Sequence, residues 1–408
     1  MRILLISDEY PPYAFGGVAT YVDEVTKYLA TQRNLEVTVV SGRSYRPRID
    51  FCNHQRIRIF RLPIPALPPR HYWFQLFNKS MMIEIARRAD LIHVQSISAS
   101  TIIRDLKKAT KKPVIVTLHG SPLETLRATL KASPNGLTLY DLLTHVVGYP
   151  INAFLHKKEL EDADCLVAVA NHVLQETSDF FGRDIASRSV VIYPGIDIEK
   201  LVSERSRKPD PKISSVPSNA QHHIVFAGRL YLLKGITYLV QAFDIIINEF
   251  KQKDVILEIY GTGPLKAKIL RYLKKKKLEK NVCLYGWKPR HQVISAIAQS
   301  DVVVLPSIYE ACPLVLLEAM ALGKPCVSFS FPWTREFIIH GKTGLLASQF
   351  DCIDLAQKIT YLCSDLDSSR RIGANASISA MQHDISRVGP KLIELYENLA
   401  SLGNFVDS

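Results

Sequence analysis

The chain has 408 residues, of which 47% are hydrophobic and 22% are charged. This length exceeds one ordinary hydrophobic core and predicts two domains of similar size. The formal charge of +12 favours polyanionic partners such as nucleotide phosphates, anionic lipid head groups or nucleic acid, without distinguishing among them. Because no apolar run is long enough to cross a bilayer and a strand-like segment follows Met1 and Arg2 directly, we expect no signal peptide and a cytoplasmic location.

The seven cysteines are odd in number and form no Cys-x-x-Cys pair. Several of them lie in apolar runs. This pattern predicts buried, reduced thiols rather than a metal site or a disulfide framework.

The first half of the chain alternates short apolar runs, typical of buried strands, with longer amphipathic segments. The predicted strands are Arg2–Ser7, Val37–Ser41, Ile57–Phe60, Leu91–Gln95, Pro113–Leu118, Cys165–Ala170 and Val190–Tyr193. The predicted helices run from Gly16-Gly17 through Ala30 and over Phe74–Ala89, Ala99–Ala109, Leu137–Leu160 and Asn171–Phe181, with Asn171 as the N-cap.

A segment rich in proline, serine and charge, Val202–Gln221, reads as a linker, and a second alternation follows it. Its predicted strands are His223–Ala227, Val255–Tyr260, Val282–Tyr285, Val302–Leu305 and Cys326–Ser328. The pattern predicts two α/β domains, each a doubly wound parallel sheet, facing each other across a cleft. We place them at residues 1–200 and 222–384, joined by a linker at 201–221, and expect a final helix at about 385–404 to pack back on the first domain.

Two motifs of the first half follow predicted strands. Gly16-Gly17 opens a helix, where backbone can approach a phosphate closely, although an ordinary tight turn explains the pair equally well. His119 and Gly120 lie just beyond a strand, at the carboxyl end where open α/β sheets bind ligands. A single histidine is more often structural, but this position favours a functional role.

In the second half, Gly228-Arg229-Leu230 and Lys234-Gly235 follow the first strand. A guanidinium and an ammonium at this spacing are suited to clamp a diphosphate, the alternative being a solvated basic turn. No P-loop is present, which argues against an NTPase. The Gly-x-Gly turn at Tyr260–Pro264 lacks a third glycine, so it indicates a wall of the cleft rather than a nicotinamide site.

The segment Asp301–Gly323 combines a strand, a turn and an apolar helix, Leu314–Leu322. Pro313 fits the first helical position, so the amides of Leu314 and Val315 are expected to lack intrahelical partners and to be available to an anion.

Glu310 and Glu318 lie in the same segment, eight residues apart. In a helix this spacing separates them by about 12 Å, beyond the roughly 5 to 9.5 Å of paired glycosidase carboxylates. It therefore favours two binding roles over a hydrolytic pair.

Two basic segments leave alternatives open. Lys274–Lys277 is interpreted as a solvated helix face. The aromatic segment Pro68–Phe77 fits either a membrane interface, where Arg70 would attract anionic lipid, or a buried helix.

Taken together, these motifs resemble the retaining GT-B glycosyltransferases of family GT4, the glycosyl transferases group 1. The resemblance covers essentially the whole chain, and its most specific part is the Glu-x7-Glu block at residues 307–325. The matching segments are EYPPYAFGGVATYV, TLHG, YPGIDIEKL, GRLYLLKG, YGTGP and SIYEACPLVLLEAMALGKP.

The resemblance implies roles for residues of both domains. Gly16 and Gly17 would approach the diphosphate of the donor from the first domain. His119 would touch the donor sugar beside the reacting carbon, and Arg229 and Lys234 would hold the diphosphate.

Within the Glu-x7-Glu block, Glu310 would bind hydroxyls of the transferred sugar and the amides of Leu314 and Val315 would cap a phosphate. Glu318 would hydrogen-bond the ribose, and the backbone near Lys288 would meet the base. Two departures from the family pattern, Ala311-Cys312 and Phe331-Pro332, would alter which sugar fits.

The sequence thus predicts transfer of a hexose-type sugar from a UDP- or GDP-sugar to a glycan, lipid-linked or small-molecule acceptor, with retention of configuration. Neither a cofactor nor a metal ion is expected, since Arg229, Lys234 and the helix amides would supply the positive charge that stabilises the departing diphosphate. We expect no nucleic acid partner and a peripheral contact with the inner face of the membrane. The alternatives are a nucleotide-sugar epimerase or glycan phosphorylase of the same architecture, and less readily a non-catalytic binder of sugar nucleotides or nucleic acid.

Overall fold

The computed structural model of the chain describes residues 1–12, 16–43, 48–51, 56–64, 70–182, 184–205 and 221–404. Its contacts divide the chain into two compact units. The first unit comprises Met1–Glu124, Gly148–Gly195 and His383–Ser408, and the second comprises Thr125–Val147 and Ile196–Gln382. Of the predicted linker, 201–205 belong to a helix and 206–220 lie outside the described residues.

The first unit contains an eight-stranded sheet in the order β3-β4-β2-β1-β5-β6-β7-β8, parallel except for β3, which pairs antiparallel with β4. The strands are β1 (Arg2–Ser7), β2 (Glu36–Arg43), β3 (Arg48–Phe51), β4 (Ile57–Pro63), β5 (Leu91–Gln95), β6 (Val114–Leu118), β7 (Cys165–Ala168) and β8 (Ser189–Val191). The central strands β5 and β6 are buried along their whole length because helices cover both faces.

The second unit contains a six-stranded, fully parallel sheet in the order β11-β10-β9-β12-β13-β14. Its strands are β9 (His222–Ala227), β10 (Val255–Tyr260), β11 (Val282–Gly286), β12 (Val302–Leu305), β13 (Cys326–Phe329) and β14 (Leu345–Ala347). The α/β class and the parallel sheets predicted from the sequence are confirmed.

Helices alternate with the strands throughout the described residues. They are α1 (Gly17–Thr31), α2 (Arg70–Ala86), α3 (Ile103–Thr110), α4 (Pro122–Ala132), α5 (Leu139–Asp141), α6 (Tyr149–Asp162), α7 (Asn171–Phe181), α8 (Asp184–Ser187), α9 (Ile198–Arg205), α10 (Ile236–Asp244), α11 (Lys266–Lys276), α12 (Arg290–Gln299), α13 (Leu314–Ala321), α14 (Pro332–Phe337), α15 (Cys352–Ser364), α16 (Leu366–Ala380) and α17 (Ile385–Asn404). The predicted helix over 137–160 is interrupted, because a π-helical turn at Leu142–Val147 separates α5 from α6.

The C-terminal helix α17 packs against the sheet of the first unit. Tyr396 is fully buried in the apolar cluster formed by α1 and β1, and its hydroxyl lies 2.6 Å from Nδ1 of His93 on β5. Nε2 of His93 lies 2.6 Å from the hydroxyl of Thr117 on β6. This buried chain of polar groups ties the last helix to the centre of the first sheet.

Asn171 is not the N-cap of α7, contrary to the prediction. Ala170 occupies the cap position, and the Asn171 side-chain amide donates to the hydroxyl of Tyr193. The described cysteines are free thiols, of which Cys165, Cys326 and Cys363 are buried.

Candidate functional site

The candidate site of the second unit is built from three loops that follow adjacent strands, β9, β10 and β12. The amide of Gly228 donates to Tyr260 O (2.9 Å), that of Leu230 to Thr262 O (3.0 Å), and that of Ile308 to Leu233 O (2.8 Å). Since the strands are parallel, all three loops lie at the carboxyl edge of the sheet. Arg229, Lys234 and Glu310 therefore share one edge.

Two glycines permit this close approach of backbone. Gly235 has φ +65°, and a Cβ there would lie 1.8 Å from the carbonyl oxygen of Pro306. Gly261 has φ +143°, and its Cβ would lie 1.9 Å from the carbonyl oxygen of Gly228. Both positions combine a left-handed backbone with contact to the next loop, so only glycine fits.

The side chain of Lys234 contacts the carboxylate of Glu310, and both are largely shielded from solvent, with 23% and 12% of their side-chain surfaces exposed. Desolvation alone would lower the pKa of Lys234. The nearby Glu310 carboxylate and its hydrogen bond outweigh this effect and raise the pKa of the ammonium above its ordinary value. Lys234 is therefore fully charged at neutral pH.

Arg229 is framed by aromatic residues. Its Nη2 donates to the hydroxyl of Tyr140 at 3.0 Å, and its guanidinium carbon lies 5.4 Å from the ring centre of Tyr140 and 5.3 Å from that of Tyr231. His145 lies beside both rings, and its pKa is lowered, mainly by burial. Tyr140 and His145 belong to no motif, so no sequence signal indicated them.

Tyr140 owes its position to a helix start. Thr138 and Asp141 form a capping box around α5. The amide of Asp141 donates to the Thr138 hydroxyl, and the amide of Thr138 donates to the Asp141 carboxylate. This local signal predicts a helix start but says nothing about contact with Arg229.

Glu318, on α13, is bound by Arg290 at the start of α12. Nε and Nη2 of Arg290 donate to Oε1 of Glu318 at 2.9 and 2.6 Å, and Glu318 is only 4% exposed. Lys288 lies in the loop just before Arg290, after β11. Arg290 thus fixes the carboxylate predicted to bind the ribose, and no sequence signal distinguished it from other arginines.

The start of α13 differs in detail from the prediction. Pro313 is the cap residue preceding the helix, not its first helical residue. The amide of Leu314 donates to Cys312 O at 3.1 Å. In the part of the chain that the structure describes, the amide of Val315 has no acceptor, so it is the group best placed to receive an anion.

The loop that carries Glu310 is braced from behind by α14. Trp333 is buried, and its indole Nε1 donates to Ile308 O at 3.3 Å. Phe331 and Pro332, the pair that departs from the family pattern, form the cap and first residue of this helix. The departure therefore lies in an element that contacts the Glu310 loop.

In the first unit, His119 lies at the carboxyl end of β6. Its Nε2 is 3.0 Å from Oε1 of Gln95, and its ring packs edge-on against Tyr21 of α1, with ring centres 4.9 Å apart. Burial lowers the pKa of His119 to about 3. The imidazole is therefore neutral at physiological pH, able to donate a hydrogen bond from one nitrogen and accept one at the other.

Gly16 caps the amino end of α1, and Gly17 is its first residue. Among the described residues, which do not include Tyr13–Phe15, no atom lies within 4 Å of a Cβ built at Gly17. A Cβ built at Gly16 would lie 3.7 Å from Glu9.

The loop before that helix start is held by Arg61, a buried residue of β4. Its guanidinium donates to the carbonyl oxygens of Tyr10, at 3.2 Å, and of Pro11, and lies 5.1 Å from the Tyr10 ring. Arg61 therefore fixes the chain that enters the Gly16-Gly17 turn, although Tyr13–Phe15 lie outside the described residues.

The described residues contain neither a metal-ligand cluster nor a membrane-spanning helix. Nowhere do three histidine, cysteine, aspartate or glutamate side chains come together as metal ligands. No described helix combines the length and apolarity needed to cross a membrane.

Comparison with known proteins identifies the family. The model named Glycosyltransferase Family 4 matches residues 15–200, and the model named Glycosyl transferases group 1 matches residues 210–378. The N-acetyl-alpha-D-glucosaminyl L-malate synthase of Bacillus anthracis is 26% identical over 402 residues, covering 96% of this chain and 94% of that protein.

Solved structures show the same fold at lower identity. Sucrose-phosphate synthase from Thermosynechococcus elongatus superposes with a TM-score of 0.78 at 20% identity, covering 98% of this chain and 99% of that chain. Anabaena HepE in complex with UDP-glucose gives 0.70 at 19% identity, covering 98% and 100%. The chain belongs to the GT4-type glycosyltransferases, the glycosyl transferases group 1, and has the GT-B fold.

Proposed function

We propose that this glycosyltransferase moves a hexose-type sugar from a UDP- or GDP-sugar to a glycan, lipid-linked or small-molecule acceptor, with retention of the anomeric configuration. The observation that carries the proposal is the cluster at the carboxyl edge of the second sheet. There Lys234 contacts Glu310, Arg229 lies on the same loop as Lys234, and the Val315 amide follows Glu310 in the chain.

The cluster suits the chemical difficulty of the reaction, which is the departure of a negatively charged diphosphate. Arg229 and Lys234 supply positive charge where negative charge grows as the bond to the anomeric carbon breaks. The Val315 amide at the start of α13 adds a hydrogen-bond donor for a phosphate oxygen. The HepE structure contains UDP-glucose, which supports a donor of this class.

Glu310 and Glu318 serve the two ends of the donor. We assign Glu310 to hydroxyls of the transferred sugar and Glu318 to the ribose, with the backbone near Lys288 at the base. Each carboxylate is bound to its own cation, Lys234 or Arg290, which supports binding roles.

The first unit contributes Gly16 and Gly17 at the diphosphate and His119 at the sugar. No described atom lies within 4 Å of a Cβ built at Gly17, which supports the approach of a ligand to the backbone there. The low pKa of His119 keeps its ring neutral, so it hydrogen-bonds the sugar without adding charge.

Retention follows from attack on the face from which the diphosphate leaves. The acceptor oxygen forms a bond to the anomeric carbon as the bond from that carbon to the phosphate oxygen breaks. The acceptor proton passes to the leaving phosphate oxygen, so no side-chain nucleophile is required. The cations named above perform the charge stabilisation that a bridging metal ion performs elsewhere, and we propose a metal-independent reaction without a cofactor.

A donor screen tests the proposal. The purified protein is incubated with UDP- and GDP-sugars, with and without an extract containing acceptors, and nucleotide release and products are followed by mass spectrometry. We expect release from one donor to rise at least tenfold with extract, with a product heavier by one sugar residue and unchanged by a chelator. An isomerised sugar nucleotide formed without acceptor would establish the epimerase alternative, and release of a sugar phosphate from a glycan with inorganic phosphate would establish the phosphorylase.

A further inference from the structure

Helix α2 of the first unit is apolar on both of its faces. Its inner face buries Phe74 and Met82 together with two amides, Gln75 and Asn78. The amide of Asn78 donates to Pro63 O at 2.7 Å, and that of Gln75 donates to Ile97 O at 3.1 Å. These contacts anchor the helix through its inner face. They agree with the interpretation of Pro68–Phe77 as a buried helix for residues 70–77, the part of that segment that the structure describes.

The outer face of α2 carries large apolar side chains at helical spacing. Trp73, Phe77 and Met81 are four residues apart and therefore lie in one row. The rings of Trp73 and Phe77 are 5.9 Å apart, and Phe77 and Met81 are 67% and 42% exposed. We call this row the outer stripe of α2. One apolar face of α2 packs on its own domain, and an exposed second apolar face is typical of a site that binds another molecule or a membrane.

The outer stripe leads into a cavity of about 660 Å³ between the C-terminal half of α2 and the sheet. Apolar side chains of the strands and the helix line it, including Leu4, Phe60, Leu62, Met81 and Ile85. Arg2 and Glu36, which begin β1 and β2, also line it. The cavity therefore lies against the sheet and extends from the amino ends of β1 and β2 to Leu62, near the carboxyl end of β4.

Arginines surround this apolar cavity. Arg2 pairs with Asp90 and Arg48 with Asp50, at 2.6 Å each. The other two arginines of the lining, Arg58 and Arg88, are exposed and have no carboxylate partner among the residues that the structure describes.

The acidic residues of the lining do not cancel this charge. Glu84 pairs with Arg87 at 3.3 Å, and the charge of Glu36 helps to raise the pKa of Arg2. Residues 70–88 contain four cations, Arg70, Lys79, Arg87 and Arg88, of which Lys79 pairs with Asp105 at 2.7 Å and Arg87 with Glu84. The surface combines an apolar floor with a net positive rim.

We propose that the outer stripe of α2 and the adjoining cavity form a binding surface for anionic phospholipid of a membrane. The phosphate of the head group binds Arg58 and Arg88, an acyl chain lies on the apolar floor at Phe60 and Leu62, and Phe77 enters the lipid interface. Tryptophan, exposed phenylalanine and nearby arginine are typical of surfaces that lie in a membrane interface. The surface is separate from the transfer chemistry and does not depend on the identity of the donor.

Vesicle binding by the full-length protein tests this inference. We expect binding to vesicles of phosphatidylcholine with 30% phosphatidylglycerol and at least tenfold weaker binding to phosphatidylcholine alone. The double variant Arg58→Gln with Arg88→Gln should weaken binding about 25-fold, since each cation near an anionic surface contributes about 1 kcal/mol, or about fivefold. Phe77→Ser with Met81→Ser should weaken it at least tenfold through loss of apolar burial.

Matched controls come from α16 of the second unit. Ile378→Ser removes an exposed apolar side chain, and Arg370→Gln with Arg371→Gln removes two exposed cations, so these variants should bind vesicles as the wild type does. Nucleotide release with a soluble acceptor should be unchanged in all variants, which separates failure of the lipid surface from failure of the transferase function. Equal binding by wild type and the α2 variants, or a wild-type dimer that Phe77→Ser dissociates, would overturn the proposal.

Discussion

Replacement of Lys234 by alanine gives the sharpest test of the proposed site. If the ammonium stabilises the departing diphosphate, its loss should lower kcat by about 10²–10³, equivalent to about 2.7–4 kcal/mol, as for removal of one preorganised charge-stabilising donor. Because Glu310 raises the pKa of Lys234, the wild-type ammonium stays charged across the neutral and mildly alkaline range, and the effect should not vary with pH there.

The same change also removes the partner of a shielded carboxylate. Only 12% of the Glu310 side chain is exposed, so loss of the ammonium that it contacts should lower the free energy of unfolding by about 1–3 kcal/mol. Activity could then fall through instability alone. A double-mutant cycle with Glu310→Gln separates the two effects, since the neutral amide no longer requires a cation.

Steady-state kinetics and urea unfolding should be measured for Lys234→Ala, Glu310→Gln and the double variant. We expect stability to recover in the double variant while kcat stays about 100-fold below that of Glu310→Gln alone. Lys275→Ala, on the exposed face of α11, is the matched control and should behave as the wild type. The reasoning fails if Lys234→Ala retains kcat within threefold of wild type, or if the double variant equals Glu310→Gln.

Three further predictions concern other parts of the two units. Arg290→Ala should raise the donor KM at least tenfold with kcat within a few-fold, because Glu318 loses the cation that orients it; a change in kcat alone would contradict the ribose assignment. Gly235→Ala should lower the free energy of unfolding, measured by thermal unfolding, by about 2–4 kcal/mol, because its Cβ would lie 1.8 Å from Pro306 O and its backbone is left-handed. Gly341→Ala should lower it by only about 1 kcal/mol, because its backbone is also left-handed but no described atom lies within 4 Å of its Cβ. His93 has a pKa of about 3 in the folded state, against 6.5 ordinarily. Its contribution to the free energy of unfolding is therefore complete above pH 6.5 and should decline by up to about 1.4 kcal/mol per pH unit as the pH falls toward 3. His93→Asn should reduce this dependence on pH in unfolding measurements.

The sequence specified best the strands that are buried on both faces. Arg2–Ser7, Leu91–Gln95, Val255–Tyr260 and Val302–Leu305 have the bounds predicted for them, because a continuous apolar run between polar turns matches the environment of a central parallel strand. Edge strands lack this signature. The segment Arg48–Phe51 alternates charge with apolar residues, and pairing with β4 rather than its own composition makes it a strand.

β14 was missed for a related reason. It has three residues and follows a turn, so its apolar run is too short to stand out from the surrounding sequence. Its strand character comes from pairing with β13, which a local pattern does not reveal.

The candidate site was predictable where its residues follow strands. Arg229, Lys234 and Glu310 could be assigned to one edge because parallel strands place the residues after them on the same side. Tyr140 and Arg290 were not found, since they reach the site from segments distant in sequence and belong to no motif. Their roles depend on tertiary contacts that spacing does not encode.

The pairing of charges in the second unit explains how a site of cations remains stable before the donor binds. Lys234 contacts Glu310, Arg290 holds Glu318, and Arg229 lies against two aromatic rings. The carboxylates thus fix two of the three cations in place, so little reorganisation is needed when a diphosphate arrives. Three cations against two carboxylates leave this group of side chains with one net positive charge. That net charge should attract the diphosphate of the donor, while Lys234, already held at its carboxylate, should act mainly on the departing phosphate.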